Sequence, residues 1–445
     1  MSIGYFIATS MVLMAALAVR TSNLFEDRKV FLLSPPSVFA FAWAASSVVY
    51  CFGDDFLREK TIIALMTFYL SFIAGSSYVM LRFGTGAKTG RPNEGETKRF
   101  ARVLILCQLL AAVAAAAHLY YAWQQAGAGA TITQVRGVLA NQTIETPIAF
   151  RFLGQLRYLN YVAPLAILSM RRSRFVLVLS VLLACAYPIL DMERSGVMRI
   201  GLLLAFAYVF SARSWASIAK MAVVGAVLGG VLVVAIPIIR GQPEGANAYQ
   251  YVAGAWAGFD DFVAGTDMAS TISTLDGTGG YVTYQPYQFG NAPMFMMTAT
   301  DLYGACHAIG LCSAVYVPGT EYVNDPWVTN IYTMARSFYQ DFGLLGSAIA
   351  TALFSAGLTL MYLYGFGRGA FGLYVSAYTA YVCIMSVLAN NFLMRDIVLT
   401  AALYYGLRSF SRRVTLFPLR IGLTIGSSAN QGSIPMTGID SAQNP

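Results

Sequence analysis

Nine arginines stand where apolar runs meet polar segments: Arg58, Arg136, Arg151, Arg157, Arg194, Arg199, Arg240, Arg336 and Arg395, with Lys60 the only lysine in the same segments. A guanidinium is a planar fork that grips a phosphate at two oxygens, whereas an ammonium is a point charge. A set built almost wholly of arginine points to a pyrophosphate-like ligand at a membrane surface. The plainer alternative for any one of them is snorkelling to lipid headgroups or pairing with aspartates in the loops.

The sharpest local cluster is residues 329–346, TNIYTMARSFYQDFGLLG. As a helix it sets Tyr332, Arg336 and Tyr339 at i, i+4 and i+7, with Gln340 four beyond Arg336. One face then offers two phenols, a guanidinium and an amide just above an apolar run. Phenol rings suit the apolar faces of sugars, the guanidinium suits phosphate, and Asp341 can orient the arginine or a hydroxyl. An aromatic belt at the start of a membrane span has the same composition.

The elements that must position these groups are membrane helices. Hydrophobic residues make up 57% of the 445-residue chain and charged residues 11%, and the mean hydropathy is +0.60. Apolar runs long enough to cross a bilayer recur near 3–20, 30–52, 61–81, 103–123, 156–170, 175–190, 197–211, 218–239, 343–364, 370–390 and 396–410. The expected fold class is therefore an all-α polytopic membrane protein of about eleven transmembrane helices. Runs 156–170 and 197–211 barely span the hydrocarbon, so tilted, irregular or re-entrant helices are expected there.

Between Ile239 and Gly343 lies a long segment that is not lipid-soluble and carries aromatic, Gly, Asp and amide residues in globular proportions. The chain divides into an N-terminal transmembrane bundle (1–239) with an outer loop at 124–155, a large helical cap (240–342), C-terminal transmembrane helices (343–415) and a flexible tail (416–445). No internal repeat is present. Segment 84–99, GTGAKTGRPNEGETKR, has linker composition, and its GTGAKTG lacks both the Walker spacing and a preceding strand.

Loops 20–29, 82–102, 171–174, 212–220, around 368 and 408–420 hold most of the 29 basic residues. The positive-inside rule makes these cytoplasmic, and puts the N-terminus and the large loop outside and the C-terminus inside. Met1 to Val19 lacks a basic n-region and a small-residue cleavage site, so it reads as a retained span. The net charge of +8 is mostly this bias and gives no reason to expect nucleic acid. Cys51, Cys107, Cys185 and Cys383 fall in or beside spans as small apolar packing residues. Cys306 and Cys312 share the outer loop and are disulfide candidates in an oxidising compartment. With only His118 and His307 in the chain, a His-rich metal site is excluded.

The stretch TN-x-YT-x-x-x-x-FY-x-DFG-x-x-G, entering a span directly after a large outer loop, resembles the oligosaccharide repeat-unit polymerases of the Wzy type. It is carried by Thr329, Asn330, Tyr332, Thr333, Phe338, Tyr339, Asp341, Phe342, Gly343 and Gly346. Across 1–415 the span count and two arginine-bearing outer loops are also similar to that family. Arg194-Ser195-Gly196 and Arg240-Gly241 are further echoes.

The resemblance implies a GT-C-like polymerase and ligase scaffold in a bacterial inner membrane, with the large loop periplasmic. It implies transfer of a growing glycan from one undecaprenyl pyrophosphate onto the sugar of a second lipid-linked repeat unit, building O-antigen or capsule. Membrane lipids, a chain-length regulator and a flippase are the other implied partners, and no cofactor is expected. Fixed guanidinium groups neutralise a pyrophosphate leaving group without reorganising. Arg194, Arg240 and Arg336 are the favoured ligands, with Arg136, Arg151 and Arg395 next. Tyr332, Tyr339, Asn330 and Gln340 are the expected sugar contacts.

Asp260, Asp261, His307 and Asp341 are candidates to accept the proton of the attacking hydroxyl. His307, beside Cys306, also fits a structural loop role. Asp260 and Asp261 are adjacent and point apart on a helix, so no metal is expected. An O-antigen ligase would share donor, scaffold and arginines. A lipid-linked sugar flippase would need polar residues through the membrane centre and usually repeated halves.

Overall fold

The computed structural model describes residues 3–51, 57–85, 98–140, 144, 146–170, 174–191, 194–211, 254–260, 263, 273–275, 281–283, 333–365, 369–388 and 394–413. Its long elements are all helices: α1 Ile3–Thr21, α2 Arg28–Leu32, α3 Pro35–Cys51, α4 Glu59–Phe83, α5 Lys98–Ala126, α6 Ile132–Ala140, α7 Ile148–Gly154, α8 Leu159–Ser169, α9 Arg174–Leu190, α10 Arg194–Ser211, α11 Met334–Gly365, α12 Gly369–Met385 and α13 Met394–Arg413. A helical segment at 254–260 belongs to the cap. The cap also holds a small antiparallel hairpin, β1 Ser273–Leu275 and β2 Tyr281–Thr283, with Thr274 opposite Val282. Span 218–239 lies outside the described residues.

Among the described residues, three helices are long and apolar enough to cross a membrane: 59–83, 99–126 and 342–365. Shorter apolar helices run through Arg174–Leu190, Gly196–Phe210 and Gly369–Met385. Their outward faces are apolar as lipid requires. In α11, Leu345, Ile349 and Leu353 are exposed at four-residue spacing, while Ser347, Thr351, Ser355 and Thr359 are buried on the opposite stripe. That stripe packs against α4, where small residues let two backbones approach. Gly75 of α4 is required there, because a Cβ on it would lie 2.1 Å from the carbonyl oxygen of Ala352.

Two apolar runs depart from the expected spans for local reasons. The run at 30–52 is split: α2 is capped by Asp27, whose side chain accepts from the Lys29 N–H at 3.0 Å, and the chain restarts at Pro35. A proline has no N–H for the preceding turn but fits the first turn of a new helix. The run at 156–170 is a 3-10 turn, Gln155–Tyr158, followed by the 11-residue α8. Such a helix rises only about 16 Å, and Leu159 through Ile167 are buried except Tyr161. It is an interior helix, packed by α9, α10 and α12.

Aromatic rings hold the centre of the bundle. Phe39 of α3 stacks on Phe72 of α4 with centroids 3.8 Å apart, and Trp43 touches Phe68 at 5.5 Å. Trp256 of the cap segment inserts beside Trp43 at 5.6 Å and stacks on Tyr50 at 5.4 Å. Phe338 of α11 closes the cluster between Phe68 and Phe354.

Candidate functional site

The 329–346 motif is described from Thr333 onward, and its helix starts at Met334. The Met334 N–H donates to the Ser386 carbonyl at 2.7 Å, just past the end of α12. The Ser386 hydroxyl accepts from Trp43 Nε1 at 2.9 Å. Ser386 thus pins the first turn of α11 to α3 and α12. Arg336 follows, only 2% exposed, between the buried Ala335 and Ser337. Tyr339 meets Phe259 of the cap segment edge-on at 6.1 Å.

The last glycine of DFG is where α11 breaks. Gly343 has φ 64° and ψ −171°, a region that glycine alone enters without strain. The helical piece 334–342, which carries Arg336 and Tyr339, is set off by this break from the apolar part beyond it. A buried guanidinium there sits in a medium of low polarity, where its attraction for an anion exceeds its value in water.

Asp260 lies at the end of the cap segment and is 8% exposed. One carboxylate oxygen accepts from the backbone N–H of Arg58 at 2.9 Å, and the other lies 3.7 Å from Arg58 Nε. A carboxylate at the start of a helix satisfies an orphan donor and complements the helix dipole. Asp260 therefore caps α4 from a distant part of the chain, and with Trp256 it seats the cap segment on α3 and α4.

A second constellation was not anticipated from sequence. The C-terminal half of α5, α7 with its 3-10 turn, and the end of α9 enclose a cleft of about 480 Å³. Arg151, Gln155, Arg157, Tyr187, His118 and Asp191 supply its polar lining. Arg157 Nη1 donates to the Tyr187 hydroxyl at 3.3 Å, and its guanidinium stands over the rings of Tyr158 and Tyr187 at 5.3 and 5.7 Å. Arg151 Nε donates to the Thr146 carbonyl at 2.9 Å. His118 Nδ1 lies 3.3 Å from an Asp191 carboxylate oxygen. The available signal was one polar residue near the C-terminal end of each of two spans, 103–123 and 175–190.

Arg199, grouped with the surface arginines in sequence, is 5% exposed and ion-paired with Asp396 of α13. Its guanidinium stands over Tyr161 and Tyr381 at 5.1 and 5.3 Å. The spans are thus less free of charge than their hydropathy indicates, because this pair joins the second turn of α10 to the first turn of α13.

Arg136 is half-buried on α6, and Arg395 is exposed on α13 beside the buried Asp396. Arg194, Gln340 and Asp341 lie in helical backbone, but their side chains are outside the described part. Arg240, Asp261, Cys306, His307, Cys312, Asn330 and Tyr332 fall outside the described residues altogether. Cys107, Cys185 and Cys383 are unbridged. Among the described residues, no group of three or more His, Cys, Asp and Glu side chains is arranged to hold a metal ion. Comparison of the chain with protein-family models, with curated proteins and with solved structures finds no match.

Proposed function

We propose that this chain polymerises undecaprenyl-pyrophosphate-linked oligosaccharide repeat units at the outer face of a bacterial inner membrane, on a GT-C-like scaffold of about eleven spans. The observation that carries the reading is the placement of the 329–346 motif. Its Gly343 breaks a membrane helix so that the preceding turns bury Arg336 against the bundle. In this reading Arg336, with Arg194 and Arg240, holds the donor pyrophosphate. The acceptor hydroxyl gives its proton to a base drawn from Asp341, Asp261 or His307, and its oxygen attacks the anomeric carbon of the donor sugar. The bond from that carbon to the pyrophosphate breaks, and the pyrophosphate leaves with the electron pair. Fixed guanidinium groups stabilise the charge as it develops.

The test is a pair of substitutions at Arg336. Lysine keeps the charge and loses the fork, so Arg336→Lys should be nearly as damaging as Arg336→Ala. Each should slow polymerisation by on the order of a hundredfold. A strain relying on either variant should display a single repeat unit, with the protein at its normal level in the membrane. Wild-type chain lengths in the Arg336→Ala strain would return this segment to an interfacial aromatic belt.

A further inference from the structure

We propose that the cleft between α5, α7 and α9 is a binding site for the phosphate-bearing headgroup of a lipid-linked sugar. The lining supplies two different chemistries. The Arg157 guanidinium is oriented in advance by the Tyr187 hydroxyl and by two aromatic rings. The rings attract the cation, and a fork of five N–H donors has more than the tyrosines engage. Arg151 is held through Nε by the Thr146 carbonyl, and among the described residues its two terminal nitrogens have no partner. Two held forks in one cavity fit the oxygens of a phosphate or pyrophosphate.

The His118 and Asp191 pair suits a different group. A carboxylate only accepts, so in the contact with Asp191 the proton sits on His118 Nδ1, and Nε2 is the ring nitrogen left to meet a ligand. That nitrogen suits a hydroxyl. A bare phosphate would use the arginines alone, whereas a sugar phosphate uses both these and His118. The cavity volume is within the range of small-molecule sites.

The approach is from the bilayer. Ile148 and Phe152, on either side of Arg151 in α7, are 72% and 71% exposed. Apolar side chains of this kind at a membrane interface lie in the acyl boundary. α7 then forms a threshold that a headgroup on a lipid tail crosses sideways. The identity of that tail rests on the function proposed above, while the phosphate and hydroxyl are argued from the cleft itself.

The test uses the full-length chain in lipid nanodiscs with a photo-crosslinking amino acid in place of Gln155, so that only occupancy of this cleft is read. The probes are undecaprenyl pyrophosphate carrying one N-acetylhexosamine, the same lipid without sugar, and phosphatidylglycerol. The sugar-bearing probe should label most strongly. Arg151→Gln, on the exposed face of α7, should weaken labelling by either polyprenyl probe about tenfold. His118→Gln should remove the preference for the sugar-bearing probe over the sugar-free one. Labelling as strong with phosphatidylglycerol, or unchanged in both variants, would overturn the proposal. A chain that labels as expected but extends no glycan retains the site and loses the polymerase reading. A chain that extends glycans and labels equally in all variants loses the site alone.

Discussion

Arg199 of α10 and Asp396 of α13 form an ion pair inside the helical bundle, with the guanidinium lodged between the rings of Tyr161 from α8 and Tyr381 from α12. Four helices meet at this one charge. Two buried ions repay their desolvation only together, so removing one partner leaves the other stranded. Asp396→Ala should cost about 3–5 kcal/mol, read as a lowered unfolding temperature of the detergent-solubilised protein. Arg199→Met combined with Asp396→Leu should recover most of that loss. A double variant as unstable as the single one would mean that the pair does more than join helices.

Gly343 offers a second test, because its φ and ψ are closed to a side chain. Gly343→Ala should cost about 1–3 kcal/mol and turn the helical piece bearing Arg336 away from its seat at Ser386. Displayed glycans should shorten far more than the modest fall in unfolding temperature accounts for. Unchanged chain lengths would separate the break in α11 from activity.

Orientation can be checked without substrate. Most basic residues cluster in the loops assigned to the cytoplasm. A reporter fused after Gln285 should therefore read as periplasmic and one fused after Thr89 as cytoplasmic. Reversed readings would put Arg336 and the cleft on the wrong face for an outward-facing polymerase.

Helices of membrane-crossing composition were legible in the hydropathy, because an apolar run in lipid has few structures open to it. Less legible was where runs break. Pro35 and Gly343 were both visible as residues, but the restart of α3 and the kink in α11 depend on what packs around them. The arginines were legible as a group and not individually. Arg199 and Arg336 are both buried, and the carboxylate that pairs with the first, Asp396, comes from nearly two hundred positions away. Asp260 is legible in the sequence only as a candidate proton acceptor, and its contact with Arg58 comes from tertiary docking that no local spacing encodes. The cleft escaped the sequence reading because its polar residues come from elements that only meet in space, His118 on α5 and Asp191 just after α9.

The most direct measurement is a reconstitution of the purified chain in proteoliposomes with one lipid-linked repeat unit and no other protein. As a polymerase, the chain should give a ladder of glycans on undecaprenyl pyrophosphate, growing by whole repeat units and reduced to the input species by Arg336→Lys. Translocation of the repeat unit without lengthening, or a single transfer that occurs only when a lipid A core is supplied, would contradict it.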